Sequence, residues 1–498
     1  MSECHQQAMS YVYRQVLKKL TTCFSKSQRA ALQLLVQRLR VAAGDTPDLS
    51  TYTLLLTCSG GKDSLQTLIF LRAAQLSIAE RIGSTFILRV ATCRYAGLTQ
   101  AALGNIERAC DALFLHDDPR VQMLMVDECQ VLPLDTRQSL SAGAMSAHRL
   151  NMLMSGHLTA GDERVTFGNS GYLSMAEFYQ RAMAWQGGVD AVAVAESPRE
   201  VRHYLAWGLR AARERGAGAP LSGGTGPLEW LEAFEELRES YYRELHGGRQ
   251  GGNESDPVIG CTAPVHFIAL HGLLDGNHPG HWQLLMDLVN YEFMGQGSGI
   301  GDFDCISPLL MAHMQGLRAE FLTIRDYRSG VHDYLRMAVP LMRSKGMPES
   351  LVRRHLALWG DQSHLDERRA VANQQARQAF DVEETHLICL LFAPFVEHGN
   401  GLKLYLQRCH PGMLVALPGL HGVLQGHPGA ETLKRWLISV SGLPLVAVQR
   451  LYRMQRIDLK GDRSLLACLQ GKGCSKARAR APQSVSGRSI DNLISGCQ

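Results

Sequence analysis

The chain predicts an α/β protein: a parallel, doubly wound sheet followed by a helix-rich second domain. Three observations carry that expectation. Apolar runs of strand length alternate with amphipathic runs of helix length between residues 51 and 215. A glycine turn, Ser59-Gly60-Gly61-Lys62-Asp63-Ser64, joins the first of these strands directly to the first of these helices. Beyond residue 257 the periodicity is mainly helical.

The elements follow in order. Residues 5–42 read as two amphipathic helices broken near Thr21 to Ser27, and residues 1–50 as a basic helical segment. Tyr52 to Cys58 is an apolar first strand, and Leu65 to Leu76 the helix after it. Thr85 to Cys93 is a second strand, and a helix follows between Leu98 and Leu115, with apolar residues at 102, 106, 109, 110 and 113. Val121 to Asp127 is a third strand, followed by a helix at 143–156. Val165 to Gly168 reads as a short fourth strand leading into a helix from Met175 to Trp185. Asp190 to Ala195 is a fifth strand, with a helix from Pro198 to Arg215. Ligands of such sheets sit at the carboxyl ends of the strands, where the Ser59–Ser64 turn falls.

Residues 216–257 form a Gly/Pro/Ser-rich linker that carries one helix at 228–245. The second domain, 258–470, shows helical patterns at 280–293, 307–318, 330–344, 364–380 and 430–440. Short apolar runs stand at Val265–Leu270 and Leu387–Phe392, the latter a buried strand or core helix. Residues 471–498 read as a basic disordered tail.

Charge and cysteines exclude several classes. Residues 1–44 carry seven Lys/Arg against Glu3, and residues 471–498 five against Asp491, while the whole chain is only +4, so the middle is mildly acidic. Basic ends suit contact with phosphodiester backbones; they equally suit solvated helix faces. The acid-poor N-terminal stretch shares features with organellar transit peptides, but Val12 to Val41 reads as folded structure. No apolar stretch approaches the roughly 20 residues of a membrane span. The thirteen cysteines show no Cys-x-x-Cys pair and no zinc spacing. With no secretory signal, they point to reduced thiols and a cytoplasmic location.

The turn itself is an anion cradle. Backbone N–H groups of a glycine turn and a helix start point outward, and the helix dipole adds partial positive charge. Gly60 and Gly61 let the backbone approach phosphate oxygens closely. A Walker A loop is excluded: Asp63 follows Lys62, and no glycine lies five residues before Gly61. An acidic residue in a phosphate cradle calls for a cation between the two, so Asp63 is the expected ligand or outer partner of Mg²⁺. Lys62 balances charge on the leaving pyrophosphate, and Ser59 and Ser64 offer hydroxyls to phosphate or, for Ser64, to the helix start. Ser222-Gly223-Gly224-Thr225-Gly226 begins alike but lacks the Asp and follows no apolar strand, so it reads as linker.

The hexapeptide resembles the Ser-Gly-Gly-x-Asp-Ser signature of the PP-loop ATP pyrophosphatases. The resemblance implies an adenine nucleotide alpha hydrolase-like fold and cofactors ATP and Mg²⁺. It implies cleavage between the α and β phosphates: a substrate carbonyl or carboxyl oxygen attacks the α-phosphorus, Mg-pyrophosphate leaves, and a nucleophile then displaces AMP. Asp63, Lys62 and Ser64 would be the catalytic residues, and Ser59, Gly60 and Gly61 would bind the nucleotide. In such proteins the end of the second strand lines the adenine pocket, which maps to Thr92, Cys93 and Arg94. Asn105-Ile-Glu-Arg108 is similar to an Asn-containing segment of sugar amidotransferase members. Gly168 and Asn169 fall where the family has a Gly-His-Asn turn near the phosphates, here without the histidine. Lacking paired cysteines, the chain reads as an amidating ligase supplied with ammonia or an amine, from a glutaminase partner or free in solution. The alternatives are a tRNA-modifying enzyme docking RNA on residues 1–44, by thiolation or lysidine-type chemistry with a sulfur or amine donor, and an ATP-binding regulator without turnover.

Other groupings are weaker. Asp127-Glu128 ends the third strand and suits metal or substrate. His266, His271, His278 and His281 surround a Gly/Pro turn and read as surface histidines. Gly295 to Gly301 leads to Asp302 and Asp304 as a connector or closing loop, Cys58 reads as a buried strand residue, and Cys409, before His410 and Pro411, as a candidate reactive thiol with no supporting motif.

Overall fold

The computed structural model describes residues 3–44, 48–127, 130–168, 171–194, 227–247, 265–270, 272–274, 279–292, 307–344, 347–360, 362–459 and 465–467. Six strands form one sheet: β1 (Thr53–Thr57), β2 (Ile87–Arg94), β3 (Val121–Asp127), β4 (Gln130–Pro133), β5 (Ala191–Val194) and β6 (His266–Ala269), in the order β4-β3-β2-β1-β5-β6. Five are parallel; β4 runs antiparallel to β3 at the edge, with Asp127 opposite Gln130. The expected parallel sheet therefore carries an antiparallel edge. Residues 130–133 are half-exposed, so they lack the apolar run that marks the buried strands.

The core strand explains the layering. Thr53-Leu-Leu-Leu-Thr57 has apolar residues on both faces, so both must be covered. Alternation sends Leu55 to one side and Leu54 and Leu56 to the other, and all three are fully buried. Leu54 and Leu56 join a core with α1 (Glu3–Cys23), α2 (Lys26–Ala42), α3 (Lys62–Ile82) and the helices Pro279–Val289 and Tyr327–Ser344. Leu55 joins a core with α5 (Ala142–Leu158), α7 (Gly171–Ala184) and the helices from Glu384 to Arg453.

The expected boundary at 216–257 does not separate two cores. β6 comes from beyond it and completes the sheet beside β5. The helix Pro227–His246 packs on α7. Leu390 of the helix Glu384–Phe392 lies against Gly156 of α5, and the Ile457 N–H donates to the Leu158 carbonyl at 2.8 Å. That helix resolves the Leu387–Phe392 run as core helix rather than strand.

Val165 to Gly168 is also helical, as α6 (Glu163–Gly168), not the expected strand. The Asp162 carboxylate accepts from the N–H groups of Arg164 and Val165 at 3.2 and 3.1 Å and so starts a helix there. The helices at the N terminus appear as expected. Ser25 and Gln28 form a reciprocal capping box that restarts the chain as α2. Their apolar faces pack on α3, and Arg14, Lys18, Lys19, Lys26 and Arg29 stay exposed. Tyr13 lies over the guanidinium groups of Arg72 and Arg120, which both hydrogen-bond Asp118 at 2.8 Å. Burial works to raise the Asp118 pKa, but the Arg120 hydrogen bonds and the Arg72 charge hold it at about 2. No helix among the described residues is long and apolar enough to cross a membrane. The expected helix at 198–215 and the tail at 471–498 lie outside the described residues.

Candidate functional site

β1 lies between β2 and β5, so the chain order reverses there, and the crevice of such a sheet opens at its carboxyl end. The Ser59–Ser64 turn occupies that end. The Cys58 N–H still donates to Ala91 of β2 at 2.8 Å, after which the chain leaves the sheet. Gly60 has φ of +72°, a left-handed conformation, and a Cβ there would collide with the Ala102 carbonyl of α4 (Gln100–Ala112). Glycine is therefore required at 60 on two separate grounds. Gly61 stands at the start of α3 and supplies no side-chain acceptor to the helix end. That end is left to an external anion or to water.

Ser64 is buried and closes the loop on itself. Its hydroxyl donates to the Gly61 carbonyl at 3.1 Å and accepts from the Ser59 N–H at 3.3 Å. The two serine hydroxyls are 3.3 Å apart. Ser64 thus shapes the turn, and Ser59, though exposed, also turns its hydroxyl into it, accepting from the Gly61 N–H at 3.4 Å.

Lys62 and Asp63 have different surroundings. The Lys62 ammonium lies 3.3 Å from the Asp63 carboxylate and 5.6 Å from the centre of the Trp282 ring, and its side chain is only 15% exposed. Trp282 holds the ammonium at the helix start through the face of the indole. The Asp63 side chain is 65% exposed. Its carboxylate is accessible to a cation carried by a phosphate chain, a setting in which Mg²⁺ needs only one or two protein carboxylates. Among the described residues no three His, Cys, Asp or Glu side chains gather into a metal site.

Three buried side chains support the turn. Thr92 is fully buried and donates to the Cys58 carbonyl at 3.0 Å, so it braces the strand end and its hydroxyl does not face a ligand. Burial pushes the Cys58 thiol pKa up, which suits a core residue rather than a nucleophile. Asn105, also fully buried, donates to the Gly60 carbonyl at 3.4 Å and to the Glu292 carbonyl at 3.0 Å, and its oxygen accepts from the Glu292 N–H at 2.8 Å.

A cleft of about 640 Å³ opens at the start of α4; residues 59–64 do not line it. Thr99, Gln100 and Ala101, at the start of α4, form one wall, and Ala101 adjoins the residue on which Gly60 rests. Arg94, at the end of β2, lines the cleft. Burial pushes the Arg94 pKa down, and Asp127 partly offsets this. Asp127 ends β3 and accepts from the Ser141 N–H at 3.1 Å. His148 of α5 is held neutral: burial pushes its pKa down to about 4, against the charge of nearby Asp127. Phe167 of α6 lines the same cleft, whereas Gly168, the last residue of that helix, does not. Asn169 lies outside the described residues, as do Glu128, His271, His278 and residues 295–304. His266 is exposed on β6. Burial pushes the Cys409 thiol up to about 11, so it is not a thiolate at neutral pH.

Sequence reasoning missed Trp282, His148 and two arginines on the far wall, Arg354 and Arg368. No local spacing marks them; they reach the site only through tertiary packing. Comparison of the chain with family models, with curated proteins and with solved structures finds no match.

Proposed function

We propose that the chain binds Mg-ATP at Ser59–Ser64 and transfers AMP to an acceptor oxygen, releasing pyrophosphate, as the first half of an amidating ligase reaction. The observation that carries this reading is the geometry of Gly60 and Gly61. A turn that demands glycine, pinned on Ala102, opens an uncapped helix at the point where the strand order reverses. The N–H groups in the first turn of α3 and the helix dipole would stabilise negative charge growing on the β-phosphate as the α–β bridge breaks. Lys62, held against Trp282, adds a fixed positive charge there. Asp63 would hold Mg²⁺, which neutralises the pyrophosphate when bound. No protein nucleophile is needed, in accord with the raised thiol pKa of Cys58.

Incubation with ATP, Mg²⁺ and a panel of carboxylic acids and amines tests the reading. AMP and pyrophosphate in equal amounts are expected. Formation of ADP and phosphate instead would reject the mechanism.

A further inference from the structure

The cleft at the start of α4 has more cationic than anionic groups. Arg94 comes from the end of β2, Arg354 from the helix Glu349–Ala357 and Arg368 from the helix Gln362–Phe380. The charged lining is completed by Glu292, whose carboxylate lies 3.5 Å from Arg108, and by His355. Burial pushes the His355 pKa down to about 4, so it brings no charge at neutral pH. Among the described residues no carboxylate forms an ion pair with Arg94, Arg354 or Arg368, and the buried Arg94 Nε has no hydrogen-bond partner. Among the described residues, Arg354 and Arg368 have no carboxylate partner and leave a positive potential at their wall, while Asp127 lies close enough to Arg94 to offset part of its charge. The remaining lining is mixed, with Leu98, Met145, Phe167 and Phe380 beside polar Gln100 and Gln375.

We infer that this cleft binds the acceptor as a small organic anion, its carboxylate or phosphate oxygens on Arg354 and Arg368 and its apolar body against Phe167 and Phe380. The inference rests on the ATP reading for the word acceptor, and the binding itself does not depend on that reading. Guanidinium forks match planar oxyanions with two parallel hydrogen bonds, a match that a neutral amide cannot make. The cleft and the Ser59–Ser64 turn both abut the start of α4, the cleft at Ala101 and the turn at Ala102.

Ligand-observed NMR with three probes of one body tests this: benzoate, phenyl phosphate and neutral benzamide. Benzoate or phenyl phosphate is expected to bind, with benzamide about tenfold weaker or silent. Whichever anion binds more tightly identifies the anionic group. The R354A/R368A double variant is expected to lose about tenfold or more in anion affinity while binding of Mg-α,β-methylene-ATP is unchanged. Arg354 is exposed, so R354A alone serves if the double variant does not fold. Equal binding of benzamide, silence of both anions, or unchanged anion binding in R354A would overturn the inference. Loss of nucleotide binding in the double variant would reassign the arginines to ATP. Anion binding without any nucleotide binding would leave the cleft standing and remove the proposed function.

Discussion

Asn105 and Glu292 pair reciprocally. The Asn105 amide donates to the Glu292 carbonyl at 3.0 Å and accepts from its N–H at 2.8 Å, while also reaching the Gly60 carbonyl. One buried side chain thus holds the Ser59–Ser64 turn and the segment after the helix Pro279–Val289 in fixed register. Asn105→Ala is expected to cost about 2 kcal/mol, because it leaves buried backbone groups without partners. Urea unfolding measures that cost. Binding of a non-hydrolysable ATP analogue should weaken in parallel, and an unchanged affinity would show that the turn does not depend on the pair.

Gly60→Ala combines a left-handed backbone with a collision against the Ala102 carbonyl. The expected cost is about 1–3 kcal/mol, with displacement of the turn and loss of nucleotide binding. Gly83→Ala is the control: it is also left-handed, with φ of +85°, but its Cβ meets nothing. It should lower stability and leave nucleotide binding intact. Similar binding losses in both variants would show that backbone strain alone accounts for the Gly60 effect.

Asp63→Ala removes an exposed carboxylate that supports no core. The melting temperature is expected to stay within about a degree or two, since exposed substitutions change stability little. AMP formation should fall by about 100-fold or more. Normal turnover in this variant would remove the metal role assigned to Asp63.

His157 sets a pH limit on stability. It is fully buried against Phe395, ring centres 5.3 Å apart, with neither ring nitrogen hydrogen-bonded. Burial, with repulsion from His386, pushes its pKa down from 6.5 to about 3. The unfolded chain therefore binds this proton first as pH falls. The stability contributed by neutral His157 is fully present above pH 6.5 and is lost as pH falls toward 3. By pH 4 the loss is about 3 kcal/mol. His157→Phe should flatten that part of the stability profile between pH 7 and 4, as measured by urea midpoints. An unchanged slope would place the acid sensitivity in His148, His313 and the other buried histidines.

Much of this protein was legible locally. The Leu54-Leu55-Leu56 run identifies a strand covered on both faces, and the glycine turn marks the site because its backbone chemistry is local to six residues. Helix starts were readable where a cap was local, as at Ser25 and Gln28. Val165 to Gly168 misled because a buried apolar run fits strand or helix alike, and the Asp162 cap decided for helix.

The sequence by itself determined the alternating sheet and the glycine turn between its first strand and helix, since each depends on neighbours along the chain. Tertiary structure alone decided which distant side chains surround that turn. It brought β6 into the sheet from beyond residue 257 and buried Arg89 in mid-strand against Gln122 and the Trp185 carbonyl. It also set Trp282 over Lys62 and carried Arg354 and Arg368 to the cleft. Periodicity records which face of an element is apolar; it holds no information about which other element that face will meet.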